Sequence, residues 1–226
     1  MGARAVSFCN YSYTYHTAGF DPKVALVDVS IRDVQPGEIV CVVGPNGSGK
    51  TTLLDLIARR RKPRVGQGET VVQEAGREGP TPTLRIGYVP QVPADGLVAD
   101  LTIVENVVLQ SSLTQGKRLG WAVGKSVRRE VRERLRVVGL DALLDKLDMP
   151  PAALSDGQRQ ILNMIAAMWA RPDLILCDEP TSKLDERNRI CVASLVVKAA
   201  HETGCAVLCA SHDHEVVARV ADRVVA

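Results

Sequence analysis

The sequence has few aromatic residues and no segment that could anchor it in a membrane. Phe, Trp and Tyr make up only 4 % of the 226 residues, too few for the stacking platforms on which proteins bind single-stranded nucleic acids. It contains no run of about 18 apolar residues, the minimum for a membrane-spanning helix. No secretory signal sequence opens the chain. We therefore expect a cytoplasmic protein that does not span a membrane by itself.

The cysteines and charges also lack the patterns of several functional classes. No two of the six cysteines have the C-x-x-C spacing that is typical of metal and redox sites. Some lie in apolar runs, as Cys41 does in 39–43, and we expect buried free thiols in a reducing compartment. A formal net charge of +2 does not indicate nucleic-acid binding. The basic run at 59–64 could contact nucleic acid or lipid, but the absence of interleaved aromatics favours a solvated loop.

Apolar segments alternate with amphipathic ones along most of the chain, without an internal repeat. Hydrophobic residues make up 46 % of the sequence, which is enough for a sizeable core. Strands are predicted at residues 3–15, 24–31, 39–43, 84–89, 174–177, 205–209 and 223–225. Helices are predicted after Gly49, over 126–140, from Ser155 onward and over 187–201, and a loop or irregular hairpin over 61–82. This alternation predicts an α/β fold with a mostly parallel sheet, helices on both faces and an all-helical insert.

The strongest motif is a glycine-rich loop between a buried apolar strand and a helix. It fits the pattern G-x-x-x-x-G-K-[ST] and consists of Gly44, Pro45, Asn46, Gly47, Ser48, Gly49, Lys50 and Thr51. Backbone N–H groups can curl around phosphate oxygens only where side chains do not obstruct them, and the following helix adds its positive N-terminus. We expect Lys50 to bind the β- and γ-phosphates and the Thr51 hydroxyl to bind Mg²⁺. The nucleotide is assigned to this loop and to the adjoining Thr52.

Two carboxylates follow the apolar run at 174–177. Asp178 and Glu179 lie at the end of this predicted strand, the position that holds Mg²⁺ beside a phosphate loop. We expect Asp178 to act on the metal and Glu179 to polarise the attacking water as general base. Adjacent buried acids are costly unless a cation or water compensates them, so the pair favours a catalytic site over a surface turn.

A second helix start carries a more specific pattern, Leu154-Ser155-Asp156-Gly157-Gln158. Ser155 is a good N-cap and forms a capping box with Gln158, so this helix also presents a positive N-terminus. The five residues closely resemble the L-S-G-G-Q signature of ABC ATPases. Taken alone they are equally well a capped helix. The order of phosphate loop, signature and paired carboxylates is that of the family, and the resemblance covers nearly the whole chain.

The resemblance assigns roles to residues outside these motifs. Gln91 is similar to the glutamine that reaches Mg²⁺ and the attacking water and that couples the site to a membrane partner. Asp185 closes the run Ser182-Lys183-Leu184-Asp185, which resembles the D-loop of the family. His212, after the strand at 205–209, matches the histidine that contacts the γ-phosphate. We therefore expect Gln91, Asp185 and His212 to belong to the nucleotide site.

The resemblance also implies which residue stacks on adenine and which residues face the nucleotide bound by a second subunit. Tyr15 best matches the aromatic residue that stacks on adenine, with Tyr13 on the same strand as the alternative. In the family, the signature turn faces the γ-phosphate bound by the other subunit. This role falls here to Ser155, Gly157 and Gln158.

The resemblance also implies a fold and an activity. It implies a P-loop NTPase with antiparallel β elements near the N-terminus and an inserted helical subdomain. A single domain would comprise an ATP-binding core at 1–91 and 157–226 and a helical subdomain at 92–156. We expect an ATPase that binds ATP and Mg²⁺, pairs with a second ATPase subunit and powers solute transport through separate transmembrane permease subunits. It would act at the cytoplasmic face of the membrane.

The transported solute is indicated only weakly. The segment 115–121 is similar to that of one importer-type subgroup, which favours amino-acid-like solutes and adds a substrate-binding protein as a partner. No nucleic-acid partner is expected. The sequence does not decide between import and export. It also does not decide whether the second cassette is identical to this one or different.

Two residues depart from the family pattern, and two other functions are disfavoured by the sequence. Asp156 replaces the first glycine of the signature and adds negative charge near a facing phosphate, which should weaken the closed dimer. Lys183 replaces a small residue of the D-loop. An ABC ATPase of DNA repair or translation would carry coiled coils, zinc inserts or a second cassette, none of which occurs in this sequence. A nucleotide binder without turnover is disfavoured by the presence of Glu179 and His212.

Overall fold

The part of the chain that the structure describes contains two β-sheets and six α-helices, joined by loops and short helical turns. The structure is a computed structural model and describes residues 4–61, 69–74, 84–115, 123–137, 141–169 and 171–226. The strands are β1 (Arg4–Tyr15), β2 (Lys23–Val34), β3 (Ile39–Val43), β4 (Glu69–Glu74), β5 (Ile86–Val89), β6 (Leu174–Asp178), β7 (Ala206–Ser211) and β8 (Arg223–Val225). The helices are α1 (Lys50–Ile57), α2 (Ile103–Gln115), α3 (Lys125–Val137), α4 (Asp156–Trp169), α5 (Glu186–Val197) and α6 (His214–Val220).

The larger sheet is parallel throughout, with the strand order β5-β6-β7-β3-β8. Its inner strands are short, apolar runs, as expected for strands that are buried on both faces. The predicted α/β class and the mostly parallel sheet are therefore confirmed. Across both sheets, the first and last residues of the strands differ from the predicted ones by up to three positions. The largest difference is in β2 of the smaller sheet.

Successive residues of the inner strands enter two separate apolar cores. In β3, Ile39 and Cys41 pack with the residues of α2, α4 and α5, whereas Val40 packs with α1 and the antiparallel sheet. This alternation follows from the period of two in a strand. Along the first of these faces, Cys41, Cys209 and Cys177 are register partners across β3, β7 and β6, and all three are buried. We refer to them as the thiol row.

The smaller sheet is antiparallel, with the strand order β2-β1-β4. Its third strand corrects the prediction of a loop or irregular hairpin over 61–82, because residues 69–74 pair with β1 from Arg4↔Glu74 to Cys9↔Glu69. The surrounding Gly, Pro, Arg and Glu residues hide this strand in the sequence, and the remainder of 61–82 lies almost wholly outside the described residues. The sheet covers α1 on one face of the molecule through buried residues such as Phe8 and Ile31.

Between β5 and β6 the described residues form helices and turns without a strand. The predicted capping box at the start of α2 is present, because the Thr102 backbone N–H donates to Glu105 at 2.8 Å and the Glu105 N–H donates to the Thr102 hydroxyl. The segment 116–122, which carries most of the similarity to the importer subgroup, lies outside the described residues. No described helix is long and apolar enough to cross a bilayer.

Helix α1 ends in a Schellman motif with an arginine where glycine is usual. The Arg59 N–H donates to the Leu56 carbonyl at 3.0 Å and the Arg60 N–H donates to the Asp55 carbonyl at 2.9 Å, which is the paired pattern of this motif. Arg59 therefore adopts a left-handed conformation with φ of 56°. A residue with a Cβ pays about 1–2 kcal/mol for that conformation.

Replacing Arg59 by Gly is expected to stabilise the protein by about 0.5–1 kcal/mol, because relief of the strain exceeds the entropy that glycine gains in the unfolded chain. Thermal unfolding of the nucleotide-free protein checks this, with a rise in Tm of about 2–4 °C per kcal/mol. The control is Ala58→Gly, one residue earlier, where φ is −70° and glycine should lower Tm. A fall in Tm on Arg59→Gly would contradict the strain argument.

Candidate functional site

The carboxyl ends of four adjacent parallel strands carry the predicted site residues. In sheet order, β5 leads to Gln91, β6 ends in Asp178 before Glu179, β7 leads to His212, and β3 leads to the loop at 44–51. Parallel strands bring their carboxyl ends to one edge, where ligands of open α/β sheets bind. The topology thus gathers residues that are up to about 170 positions apart in the sequence, as the positions of Gly44 and His212 show.

The glycine-rich loop has backbone conformations that require glycine. Gly47 and Gly49 have φ of 82° and 96°, in the left-handed region that other residues avoid. At Gly49 a Cβ would also lie 2.6 Å from the Ala25 carbonyl oxygen of β2. The loop therefore packs directly on the antiparallel sheet, and α1 begins at Lys50 with its N-terminus facing the loop.

Lys50 is buried at the centre of the loop, with only 6 % of its side chain exposed. Its ammonium donates to the carbonyl oxygens of Gly44 at 2.8 Å and Pro45 at 3.0 Å. It also lies 3.6 Å from the Glu179 carboxylate. The Lys50 ammonium is a fixed cation beside the glycine-rich loop and the N-terminus of α1, and is therefore suited to bind the phosphates of a nucleotide.

Two of the three ligands predicted for Mg²⁺, Thr51 and Asp178, lie together on α1 and β6, whereas the third, Gln91, donates its side-chain amide to Glu179. The Thr51 hydroxyl donates to Asp178 Oδ1 at 3.0 Å. Burial raises the pKa of Asp178 above its usual range, and the hydrogen bond from Thr51 opposes part of that rise. A buried carboxylate of this kind is compensated by a cation, and hydroxyl and carboxylate oxygens are ligands that Mg²⁺ accepts. Thr51 and Asp178 therefore fit the metal.

Three side chains of the site approach the Glu179 carboxylate. His212 Nδ1 lies 3.0 Å from Oε1, the Gln91 side-chain amide donates to Oε2 at 2.9 Å, and Lys50 lies 3.6 Å from Oε1. The carboxylate is 8 % exposed, whereas His212 is 48 % exposed. Three side chains, from the segments that follow β5, β7 and β3, thus converge on one buried carboxylate.

A strained backbone aims Glu179 into this position. Its φ is 44°, its N–H donates to the Ala210 carbonyl of β7 at 2.9 Å, and its carbonyl accepts from the Ser182 N–H at 3.0 Å. Non-glycine residues in this region cost about 1–3 kcal/mol and occur mainly at functional sites. The turn opens into a cavity of about 320 Å³ lined by Asn46, Gln91, Glu179, Thr181, Ser182, Lys183, Arg189, Ser211, His212 and Asp213.

Among the candidate tyrosines, Tyr15 forms a hydrogen bond with the helix that follows the phosphate loop. Its hydroxyl lies 2.8 Å from the Thr52 hydroxyl of α1. Tyr13 stands nearly perpendicular to it, with ring centroids 5.1 Å apart, and packs against the core that contains α1. Tyr11 is buried. These positions favour Tyr15 for stacking on adenine, which stays a prediction.

The signature turn and Asp185 do not line the cavity described above. Ser155 and Gln158 form the predicted capping box, in which the Ser155 N–H donates to Gln158 Oε1 at 3.1 Å and the Gln158 N–H donates to the Ser155 hydroxyl at 3.3 Å. A Cβ on Gly157 would collide with Asn188 of α5. Asp185 caps α5 by accepting from the Asn188 N–H at 2.9 Å, and this bond holds the pKa of Asp185 below its usual range.

Three further residues near the site were not singled out by the sequence patterns. Asp213 caps α6 by accepting from the N–H groups of Glu215 and Val216, directly after His212. Arg189 of α5 lies 3.7 Å from Asp213. An aspartate just before a helical stretch is an N-cap signal that could have indicated Asp213. Arg61 lies over the Tyr15 ring and keeps 39 % of its side chain exposed, so this part of the predicted solvated loop is only partly solvated.

Comparisons with known proteins agree with this geometry. The family model described as ABC transporter matches residues 27–182. The phosphate import ATP-binding protein PstB 2 of Natronomonas pharaonis is 35 % identical over 214 residues, which cover 92 % of this chain and 72 % of that protein. The lipoprotein-releasing system ATP-binding protein LolD 1 of Caulobacter vibrioides is 35 % identical over 83 % of this chain and 78 % of its own length.

Solved structures show the same fold. A dimeric structure of the ATP-binding cassette MJ0796 in a post-hydrolysis state, bound to ADP and Pi, matches with a TM-score of 0.77 and 29 % identity. The match covers 97 % of this chain and 93 % of that one. The predicted P-loop NTPase fold and ATPase activity with ATP and Mg²⁺ are thereby confirmed. The chain belongs to the ABC transporter family, as one of its ATP-binding cassettes.

Proposed function

We propose that this cassette pairs head to tail with a second cassette around ATP and drives solute transport through separate permease subunits. The observation that carries the proposal is the convergence of His212, Gln91 and Lys50 on the buried Glu179 carboxylate. A base held in this way at the edge of a phosphate loop is suited to activate water for phosphoryl transfer.

Each residue at the strand ends has a role in this proposal. Lys50 binds the β- and γ-phosphates, and Thr51, Asp178 and Gln91 hold Mg²⁺, which supplies charge compensation to the phosphates when it is bound. Glu179 accepts the proton of the attacking water. His212 contacts the γ-phosphate, and because it lies 3.0 Å from Glu179 it also positions that carboxylate.

The lining of the cavity in one chain supports the pairing of two cassettes. The turn formed by Ser155, Gly157 and Gln158 presents the N-terminus of α4, yet these residues do not belong to the cavity lining described for Glu179 and His212. A helix N-terminus is suited to face an anion. In a head-to-tail pair, the signature turn of one chain completes the nucleotide site of the other. The dimeric state of MJ0796 supports this arrangement.

Import is the transport direction that the relatives favour. Relatives named for import of phosphate, zinc and methionine are 34–36 % identical to this chain, although LolD 1 is named for lipoprotein release. Because the named cargoes differ, they do not support one solute class. The amino-acid-like cargo predicted from 115–121 stays a prediction, as does a substrate-binding protein among the partners.

The proposal is tested by purification of the chain with its partners from native membranes in mild detergent. The expected result is a complex with a multi-span permease which, after reconstitution in vesicles, takes up solute only when ATP is supplied on the cassette side. A cassette that hydrolyses ATP at a rate unaffected by the reconstituted permease, without solute movement, would show that the transport role is wrong.

Asp156 gives a sharper prediction about the paired state. Its side chain is 72 % exposed and lies 2.8 Å from Arg159, so its charge is only partly compensated where the proposal places a phosphate. Asp156→Gly is expected to tighten the ATP-induced dimer about 30-fold, since a like-charge contact near 4 Å in water costs about 1 kcal/mol and the head-to-tail pair contains two such contacts.

Sedimentation of the protein at increasing ATP concentration measures this effect, in a chain that also carries Glu179→Gln so that ATP is not consumed. The matched variant is Arg159→Gln, which removes the compensating cation and should weaken the dimer. If Asp156→Gly weakened the dimer and Arg159→Gln left it unchanged, Asp156 would not face the partner's nucleotide.

A further inference from the structure

Two arginines beyond the end of α1 lie over two tyrosines and share one carboxylate. The Arg61 guanidinium carbon is 5.3 Å from the centre of the Tyr15 ring, and that of Arg60 is 4.3 Å from the centre of the Tyr88 ring. Asp55 accepts from Arg61 at 2.9 Å, lies 3.6 Å from Arg60 and accepts from the Tyr88 hydroxyl at 3.2 Å. Asp55 thereby fixes both guanidinium groups against the rings.

The Tyr15 ring is contacted on three sides. Thr52 holds its hydroxyl at 2.8 Å, Tyr13 stands at 81° to its plane, and Arg61 lies over a face. A ring held in this way is ordered before any ligand arrives, so stacking on it costs less side-chain entropy.

We propose that Arg61 is a positioning residue for the nucleotide base. It braces one face of Tyr15 so that the adenine of ATP stacks on the other. This inference rests on the proposed role of Tyr15 in stacking. A cation on one face of an aromatic ring is attracted by the ring quadrupole, and the hydrogen bond to Asp55 holds the Arg61 guanidinium in that place.

The Arg60 guanidinium provides a natural comparison. It shares Asp55 with Arg61 and has a similar exposure, 48 % against 39 %, but it lies over Tyr88 and not over Tyr15. The two arginines therefore differ in the ring that they contact. A contribution to base binding is expected from Arg61 alone.

The test compares two ligands, a non-hydrolysable ATP analogue and inorganic tripolyphosphate, which has no base. Arg61→Ala is expected to weaken binding of the analogue about three- to tenfold, the range of a cation–π contact between exposed and partly buried sites. Its binding of tripolyphosphate, measured by competition with Mg²⁺ present, is expected to equal that of the parent chain. Arg60→Ala should leave both affinities unchanged.

Two further variants separate positioning from folding and from charge. Arg61→Lys keeps a cation beside Asp55 but has no planar group, so it should restore the thermal stability of the parent and only part of the affinity for the analogue. In a chain that carries Tyr15→Leu, Arg61→Ala should have no further effect on either ligand, because the ring that it braces is absent.

Each outcome decides a separate point. The positioning role of Arg61 would be overturned if Arg61→Ala weakened the binding of the analogue and of tripolyphosphate equally, or weakened neither. It would also be overturned if Arg61→Ala still lowered the affinity for the analogue in a chain that carries Tyr15→Leu. If Arg61→Ala does not fold, the same comparison on Arg61→Lys decides. Unchanged affinities in Tyr15→Leu alone would show that Tyr15 does not stack on the base. A parent chain that binds neither ligand would contradict the proposed function itself.

Discussion

Replacing Glu179 by Gln is expected to slow ATP hydrolysis by about 10²–10⁴-fold, the usual contribution of a general base, while ATP binding persists. The substitution has almost the same shape, and the remaining amide oxygen can still accept hydrogen bonds. It removes the negative charge that accepts the proton of the attacking water. Lys50, 3.6 Å from this carboxylate, remains available to the phosphates.

The Glu179→Gln variant should accumulate as an ATP-bound dimer, because hydrolysis is the step that separates the two cassettes in the proposed cycle. Release of phosphate over time measures the rate, and size-exclusion chromatography with ATP measures the dimer. The control is Glu133→Gln on α3, whose carboxylate is 63 % exposed and distant in sequence from the strand ends. A Glu179→Gln chain that hydrolyses ATP at the parent rate and never dimerises in ATP would show that the mechanism is wrong.

Loss of Lys50 is expected to have the largest effect on binding. Lys50→Ala should weaken ATP binding about 100-fold or more, since each hydrogen bond to a charged group contributes about 1.5–3 kcal/mol and the ammonium is placed to make several. Lys50→Arg should not restore it. The Lys50 side chain is enclosed by the carbonyls of Gly44 and Pro45, and a guanidinium is a larger, planar fork that cannot act as a compact point charge.

Calorimetric titration with ATP and Mg²⁺ measures the affinity of each variant. Lys125→Ala serves as the control, because Lys125 begins α3 and is exposed to solvent. Far-ultraviolet circular dichroism verifies that the variants keep their secondary structure. If Lys50→Ala bound ATP with the parent affinity, the loop at 44–51 would not be the phosphate site.

Local sequence patterns were sufficient to predict the strands of the parallel sheet and the helix starts. The strand at Ile39–Val43 and the capping boxes at Thr102 and Ser155 depend on neighbours only a few residues apart. The order of the motifs along the chain then indicated the site. By contrast, β4 depends on pairing with β1 from Arg4↔Glu74 onward, a contact between distant segments that local composition does not reveal.

The details of the site depend on tertiary contacts in the same way. The left-handed turn at Glu179 arises because β7 offers the Ala210 carbonyl to its N–H, and glutamate itself has no preference for that conformation. The packing of Arg61 over Tyr15 joins residues 46 positions apart, as their numbers show. A basic run in the sequence therefore looks the same whether it is solvated or packed against tyrosines.

The thiol row provides a chemical reporter that requires no label or engineered residue. Cys9 and Cys191 are partly accessible, whereas Cys41, Cys177, Cys205 and Cys209 are buried. Burial also raises the pKa of the Cys177 thiol, and raises that of Cys205 to about 12, which suppresses the reactive thiolate. An alkylating reagent should therefore modify Cys9 and Cys191 faster than the four buried cysteines, which react only as often as the sheet opens. Because the proposed nucleotide site lies at the carboxyl ends of the same strands, the slow alkylation rate should report how firmly a bound nucleotide holds the core closed.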